Sequence, residues 1–210
     1  ALINVNFDIG DGEFVAVAGH SGSGKTALFN IMGLMELPDA GEVYFMGREL
    51  SSLSEKAREI LRRGNIGYVF RQFNLIDEMS VWENVELPLL YLKLSRKQRR
   101  LMVEEALARF QLGHIQKYYP QQLTGLQQQT VSLARASVFK PALLLADEPT
   151  GDINSSAGNV VMDFLSEINE RGITVVVFTN LMQDAHKAQR IIQLHDGHVV
   201  TDAAQISANQ

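Results

Sequence analysis

The chain has 210 residues, of which 46% are hydrophobic and 20% are charged, and its formal net charge is −5. This length suits one large globular domain, or a core with an inserted subdomain, and the composition argues against disorder. The negative charge gives no reason to propose nucleic acid as a partner, and the lack of cysteine excludes disulfides and thiolate metal sites. No apolar run approaches the roughly 20 residues of a membrane span, so the sequence predicts a cytoplasmic location.

The first part of the chain alternates predicted strands and helices. Short apolar runs bounded by turn residues predict buried strands, and apolar residues at helical spacing predict helices. In chain order, these elements are a strand at 14–19, a helix at 25–35, a strand at 42–47, a helix at 54–63 with Ser54 as its cap, and a strand at 66–70.

The middle of the chain, about residues 80–139, contains no convincing strand. Residues 81–92 are predicted to be helical, although Pro88 interrupts that pattern. Residues 95–110 are predicted to form a second helix, whose basic run RKQRR we interpret as a solvated face because two glutamates lie beside it. One face of this helix carries its apolar residues Met102, Ala106 and Phe110.

Strands return in the last third of the chain. Predicted strands at 142–147 and 173–178 flank a helix at 155–170, and this βαβ unit predicts a parallel sheet. Residues 190–200 predict a hairpin with Asp196 and Gly197 as a two-residue type I′ turn. The predicted fold is α/β with a mostly parallel sheet, comprising a core at 1–78 and 140–210, β-rich near its N-terminus, and an inserted α-helical subdomain at 79–139.

The segment GHSGSGKT fits the pattern G-x-x-x-x-G-K-[ST] between a predicted strand and a predicted helix, which is the context of a phosphate-binding loop. Its glycines allow backbone N–H groups to converge on phosphate oxygens beside the N-terminus of the helix. Lys25 is expected to bridge the β- and γ-phosphates, and the Thr26 hydroxyl to bind Mg²⁺. The predicted nucleotide-binding residues of this P-loop NTPase core are Gly19, His20, Ser21, Gly22, Ser23, Gly24, Lys25 and Thr26.

A second motif, LLLADEP, is a hydrophobic strand that ends in Asp147 and Glu148. A parallel strand presents its last residues at the carboxyl edge of the sheet, beside the phosphate loop. We therefore expect Asp147 to hold Mg²⁺ through its waters and Glu148 to polarise an attacking water. The alternative, that both carboxylates cap the next segment, is weaker in a chain that also has a phosphate loop.

The chain also has five histidines, at positions 20, 114, 186, 195 and 198. They are scattered along the sequence and show no spacing typical of a metal site. We interpret them as solvated or turn residues.

The order of GHSGSGKT, FRQFNL, LTGLQQQ, LLLADEPTGDIN and VVVFTN resembles the nucleotide-binding subunit of ABC transporters, and IGYVFRQFNL, WENVELPLL and ADEPTG are most similar to its lipoprotein-release and macrolide-efflux subgroup. This similarity covers essentially the whole chain. It implies ATP and Mg²⁺ as cofactors, a head-to-tail homo- or heterodimer with two ATP molecules at the interface, and a membrane-spanning transporter subunit as partner. The chain would then lie at the inner face of the cell membrane. The aromatic residue that stacks on adenine is expected before Ala1.

The segment LTGLQQQTV matches the place of the family's LSGGQ signature. The resemblance implies that Thr124, Gly125, Leu126 and Gln127 present a hydroxyl, backbone N–H groups and a helix N-terminus to the γ-phosphate across the dimer. Leu126 stands where the family has its second glycine. A side chain there is expected to crowd the phosphate and to restrict φ.

Three further positions depart from the family pattern. Arg71 stands where a glutamine should contact Mg²⁺ or water, Asn154 replaces the aspartate that closes TGxLD, and Asn180 replaces the switch histidine. An amide at position 180 can form hydrogen bonds but cannot carry a proton. We therefore predict an ABC-type ATPase with Glu148 and Asn180 as catalytic candidates and with weakened turnover. The alternative is a pseudo-ATPase that binds nucleotide as a structural or regulatory module, and both natural divergence and engineering account for such substitutions.

Overall fold

A computed structural model of the chain describes residues 2–205. Helices and strands alternate through most of the described chain, with short 3₁₀ turns at Leu87–Tyr91, Gly113–Ile115 and Pro120–Gln122. The elements are β1 (Phe14–Ala18), α1 (Lys25–Met32), β2 (Tyr44–Phe45), β3 (Arg48–Glu49), α2 (Glu55–Arg62), β4 (Ile66–Val69), α3 (Val81–Glu86), α4 (Arg96–Arg109), α5 (Gly125–Ser137), β5 (Leu143–Asp147), α6 (Ser155–Glu170), β6 (Thr174–Thr179), α7 (Met182–Ala185), β7 (Arg190–His195) and β8 (His198–Ala204).

Six strands form one sheet in the order β4-β5-β6-β1-β7-β8. All neighbouring pairs are parallel except β7 and β8, which are antiparallel. Strands β5 and β6 are adjacent and are joined through α6, so the predicted βαβ unit and the mostly parallel α/β fold are confirmed. The carboxyl ends of β5, β6 and β1 therefore open at the same edge of the sheet.

Each central strand buries both of its faces. In β1, Ala16 packs into a cluster that includes buried residues of α5 and α6, while Val15 and Val17 pack into a second cluster with α1. Side chains alternate between the two faces of a strand, so a strand buried on both faces is apolar throughout. This explains why the strands at the centre of the sheet were visible in the sequence as uninterrupted apolar runs.

The segment between β4 and β5 is helical. Helices α3, α4 and α5 each begin at a capping box, formed by Ser80, Ser95 and Thr124 with the side chain three residues later. Helix α3 ends at Glu86, and the chain continues as a 3₁₀ turn that contains Pro88, which lacks an N–H donor. The predicted helix at 95–110 is confirmed, but the division of the chain at 79 and 139 stays a prediction.

Two local predictions concern places where the chain reverses direction. The strand predicted at 42–47 is confirmed only at Tyr44–Phe45, because the chain reverses at Met46 and Gly47, both with positive φ, and forms the small β2–β3 hairpin. The hairpin at 190–200 is confirmed, with φ of 47° at Asp196 and 82° at Gly197, as a type I′ turn requires. The four-residue helix α7 was not predicted, because a single turn leaves no periodic pattern to detect.

The packing of the sheet predicts a large stability difference between two leucine truncations. Leu144 in β5 is 0% exposed, whereas Leu101 on the outer face of α4 is 57% exposed. Leu144→Ala is expected to lower the free energy of unfolding by about 2–5 kcal/mol, since it removes buried methyl groups and leaves a cavity. Leu101→Ala, the matched control, should change it by less than about 0.5 kcal/mol. Urea denaturation measures both values, and equal losses would contradict this description of the core.

Candidate functional site

The phosphate loop leaves the carboxyl end of β1 and leads directly into α1. Gly22 and Gly24 have φ of 83° and 107°, in the region that favours glycine. A Cβ atom at Gly19 would lie 2.5 Å from both the Ser23 hydroxyl and the Leu194 carbonyl oxygen, so only glycine fits there. The glycines predicted from the motif thus have a steric reason at each of these positions.

Helix α1 begins without a side-chain cap and without an acidic residue in its first turn. The N–H groups of a helix's first turn have no intrahelical partner, and they carry the positive end of the helix dipole. A bound anion would satisfy these donors. The local structure therefore suits a phosphate group.

Lys25 is the first residue of α1 and is only 6% exposed. Its ammonium group donates to the carbonyl oxygens of Gly19 at 2.7 Å and His20 at 3.0 Å. It also lies 4.0 Å from Oε1 of Glu148. The Lys25 ammonium thus lies between the phosphate loop and the end of β5. A phosphate bound in the loop would contact this ammonium.

Asp147 ends β5, and Glu148 follows with a strained φ of 42°. Burial raises the pKa of the Asp147 carboxyl, and the neighbouring charge of Glu148 raises it further, while Lys25 and Arg71 lower it. A divalent cation beside Asp147 would favour its ionised form. The carboxylate is therefore placed where its charge is costly unless a cation compensates it.

The alternative that Asp147 and Glu148 cap the following helix is wrong. Helix α6 is capped by Asn154, whose side-chain oxygen accepts from the Ala157 N–H at 2.9 Å. Asparagine and aspartate are about equally good caps, so the substitution at this position keeps the start of α6 intact.

The phosphate loop and the end of β5 enclose a cavity of about 360 Å³. Thr26 and Asp147 both line it, and hydroxyl and carboxylate oxygens are ligands that suit a hard cation such as Mg²⁺. The donors of the loop and these two oxygens fit a nucleotide phosphate with its metal ion. The lining residues are Ser21, Gly22, Gly24, Lys25, Thr26, Ala27, Arg71, Asp147 and Glu148.

Arg71 joins the loop after β4 to the loop after β5. Its Nε donates to Asp152 Oδ1 at 2.7 Å, and its Nη1 donates to Glu148 Oε2 at 3.3 Å. Because Lys25 lies near the other oxygen of Glu148, each carboxylate oxygen of this residue faces a cation. The substitution at position 71 thus brings a second positive charge into the cavity that Thr26 and Asp147 line.

The signature residues 124–127 do not line the phosphate cavity of their own chain. The Thr124 hydroxyl accepts from the Gln127 N–H at 3.3 Å, and the Gln127 side chain accepts from the Thr124 N–H at 2.9 Å, which forms the capping box of α5. Leu126 is the second residue of α5 and packs against the larger core cluster. The expectation that Leu126 restricts φ here is therefore wrong, because leucine adopts a helical backbone readily. Gly125 lies close to Ile153, since a Cβ atom there would be 3.3 Å from its Cγ2.

Asn180 follows β6 directly and is exposed. It is not among the residues that line the cavity. The structure therefore does not place Asn180 beside Glu148 in the cavity, and the catalytic role of Asn180 stays a prediction.

One residue of the site was missed. The side chain of Gln129 is buried in α5, and its amide donates to the carbonyl oxygens of Phe70 and Pro149. These carbonyls directly precede Arg71 and directly follow Glu148. Gln129 therefore connects α5 to both loops of the cavity, and only its place in a run of three glutamines distinguished it in the sequence.

Two of the histidines that are scattered along the sequence lie close together in the fold, and both are exposed. The rings of His20 and His195 have centroids 5.0 Å apart, and both lie beside Asp196. This cluster lies outside the set of residues that line the cavity.

Comparisons with known proteins agree with this geometry. The family described as ABC transporter matches residues 2–151. An uncharacterized ABC transporter ATP-binding protein of Methanocaldococcus jannaschii is 44% identical over 200 residues, which are 95% of this chain and 89% of that protein. Macrolide export ATP-binding/permease protein MacB 2 of Yersinia pestis is 42% identical over 201 residues, which are 96% of this chain and 30% of that protein.

Among solved structures, the dimeric post-hydrolysis state of an ATP-binding cassette bound to ADP and Pi matches with a TM-score of 0.86 and 41% sequence identity, covering 97% of this chain and 90% of that one. Between residues 2 and 205, no helix has the length and the apolar composition needed to cross a membrane. From the phosphate loop, the site at the end of β5 and these matches together, we conclude that the chain belongs to the ABC transporter family, as an ATP-binding component.

Proposed function

We propose that the chain is the subunit of an ABC transporter that couples the binding and hydrolysis of MgATP to a membrane-spanning partner. The observation that supports this most is the cavity between the phosphate loop and the end of β5. MgATP would supply the phosphoryl group and the metal charge. In the proposed arrangement, Lys25 and the loop N–H groups hold the phosphates, Thr26 and Asp147 hold Mg²⁺, and Glu148 orients water.

The proposed assembly is a head-to-tail dimer. The similar ATP-binding cassette bound to ADP and Pi is dimeric. In this chain the residues 124–127, which cap and begin α5, do not line the cavity of their own chain, and we propose that they contact the cavity of a second subunit. Such pairing would place the dipole of α5, a 13-residue helix, against the γ-phosphate of the partner's nucleotide.

The proposed docking surface for the membrane partner is a groove of about 480 Å³ beside α2. Leu87, Pro88 and Tyr91 line one side of it, and Arg62 and Arg135 add positive charge. Burial lowers the pKa of Arg135 to about 10, which still leaves the guanidinium charged at neutral pH. The name of the macrolide relative joins an ATP-binding and a permease part, and this chain spans 30% of that protein. We propose that this chain lies at the inner face of the membrane against a membrane-spanning permease, which is either a separate subunit or part of the same polypeptide.

We further propose that turnover is weakened by the substitutions around the γ-phosphate. Arg71 holds one oxygen of Glu148 and adds a charge beside the proposed metal position. In this proposal the Leu126 side chain crowds the γ-phosphate that meets the signature turn, and Asn180 replaces a titratable histidine. The family assignment supports ATP hydrolysis in general. The alternative of a pseudo-ATPase is not supported by the family or by the relatives described above.

The phosphate loop predicts that Lys25→Ala weakens nucleotide binding. Losing the buried ammonium removes hydrogen bonds to a charged group, each worth about 1.5–3 kcal/mol, so the Kd for MgATP should rise by about 10- to 100-fold or more. Lys56→Ala, on the exposed face of α2, is the matched control and should leave the Kd unchanged. Calorimetric titration measures both, and equal affinity of Lys25→Ala and the parent would contradict the proposed site.

The substitutions around the γ-phosphate predict that restoring the family residues raises turnover. The triple variant Arg71→Gln, Leu126→Gly and Asn180→His should have a kcat about 10²–10³ higher than the parent at saturating MgATP, with little change in Kd. Single reversions should recover less, because residues that act together are not additive. Arg100→Gln, on the outer face of α4, is the control for loss of a positive charge. Phosphate release gives kcat, and rapid turnover by the parent that the triple variant does not increase would show that these positions are misassigned.

The docking groove predicts where the membrane partner contacts this chain. A photo-crosslinking residue at Tyr91, which is 62% exposed, should form an adduct with the permease in membranes that contain it. The same residue at Val200 in β8, which is 58% exposed, is the matched control and should not. More generally, crosslinks should fall within residues 71–95. Crosslinks that map to the hairpin at 190–200 would place the interface elsewhere.

A further inference from the structure

Two histidines and an aspartate from distant parts of the sequence meet on one side of the phosphate loop. His20 is the second residue of the loop motif, His195 ends β7, and Asp196 begins the type I′ turn that follows. All three side chains are exposed, and one ligand atom of each lies within 4.8 Å of the others. This arrangement has no part in the phosphate cavity, because none of the three residues lines it.

The two histidine–aspartate distances in this cluster are close to the distance between two ligands of a tetrahedral metal ion. His20 Nε2 lies 3.4 Å from Asp196 Oδ1, and His195 Nδ1 lies 3.5 Å from Asp196 Oδ2. Ligand atoms about 2.0–2.1 Å from Zn²⁺ in a tetrahedral arrangement are about 3.3–3.4 Å apart. Each histidine nitrogen thus lies at about this distance from one oxygen of Asp196. The two oxygens differ, so an ion held by a single carboxylate oxygen requires the exposed Asp196 side chain to rotate.

The His20 ring is oriented as a metal ligand should be. Its Nδ1 lies 2.8 Å from the carbonyl oxygen of Ser21, a hydrogen bond in which the ring nitrogen donates. With the proton on Nδ1, the lone pair of the neutral ring is on Nε2, the atom that faces Asp196. Metal-binding histidines almost always donate their other ring N–H to a carboxylate, a carbonyl or a water in this way.

The two segments that carry the ligands are held together by the backbone. The Gly197 N–H donates to the Ser23 carbonyl at 2.9 Å, and the Gly197 carbonyl accepts from the Ile3 N–H at 2.8 Å. The turn at Asp196 and Gly197 is thus fastened to the phosphate loop. Ligands that are positioned before the ion arrives lose little conformational entropy on binding.

We propose that His20, His195 and Asp196 bind one divalent transition-metal ion, with Zn²⁺ as the preferred ion and a water as its fourth ligand. Two imidazoles and a carboxylate are typical ligands of Zn²⁺, and the two imidazole nitrogens favour it over Mg²⁺, which prefers oxygen ligands. This site is separate from the Mg²⁺ position proposed at Thr26 and Asp147. Because His20 belongs to the phosphate loop, the bound ion would join that loop to the β7–β8 turn.

The test is a calorimetric titration of ZnCl₂ into the tag-free, nucleotide-free chain. The parent should bind one Zn²⁺ per chain at this site. His195→Ala and Asp196→Asn should each weaken binding by at least about tenfold, since even loss of a residue that only supports a ligand typically costs 10- to 100-fold. Asp196→Asn is the sharper variant, because asparagine followed by glycine keeps the type I′ turn while the carboxylate charge is removed. His198→Ala, across the hairpin from His195, is the matched control and should bind as the parent does.

Thermal unfolding gives a second readout that needs no catalytic activity. Zn²⁺ should raise the Tm of the parent and of His198→Ala, because an ion bound only to the native state stabilises it. It should not raise the Tm of Asp196→Asn, whose Tm without Zn²⁺ should equal that of the parent. Unchanged affinity in both ligand variants would overturn the proposal, and so would a loss in His198→Ala as large as that in His195→Ala.

Discussion

The parallel pairing of β5 and β1 with the strand between them, β6, is the constraint on which the site depends. Asp147 is in register with Phe178, and Ala18 is in register with Thr179, so the ends of β5 and β1 differ by one residue along β6. The phosphate loop and the Asp147–Glu148 pair therefore start within one residue of the same level, on either side of β6. No side-chain contact is needed to bring these motifs together, since the backbone ladder does so.

The charges in the cavity follow from this placement. In the structure Glu148 lies between Lys25 and Arg71, and Asp152 neutralises the arginine. Arg71 is half-exposed, and exposed ion pairs contribute at most about 1 kcal/mol, so this arrangement is readily rearranged by a ligand. The effect proposed for Arg71 thus comes from the position of its charge beside the proposed metal site. The strength of its ion pairs contributes little to it.

The features predictable from the sequence are those with a local cause. Apolar runs identified the central strands, the glycine spacing identified the phosphate loop, and the dipeptide at Asp196 and Gly197 identified the hairpin turn. The meeting of Asp147 with the loop was predictable because parallel strands impose it. Contacts between segments that are distant in the sequence left no pattern from which they could be predicted. Examples are the hydrogen bonds of Gln129 to two loops and the approach of His20 to His195. The φ expected of Leu126 was wrong because α5 begins one residue earlier, at Gly125.

The position of Gln129 gives the signature turn a physical connection to the chemistry of its own chain. Its amide holds the carbonyls beside Arg71 and Glu148, while Thr124 lies at the N-terminus of the same helix. In addition, Gly125 packs closely on Ile153 in the loop after Glu148. A ligand that moves either loop therefore acts on α5, and a second subunit that contacts the start of α5 acts on the loops. Because coupling between two binding sites is reciprocal, nucleotide in one cavity and the partner subunit at Thr124 should each change the affinity for the other by the same factor.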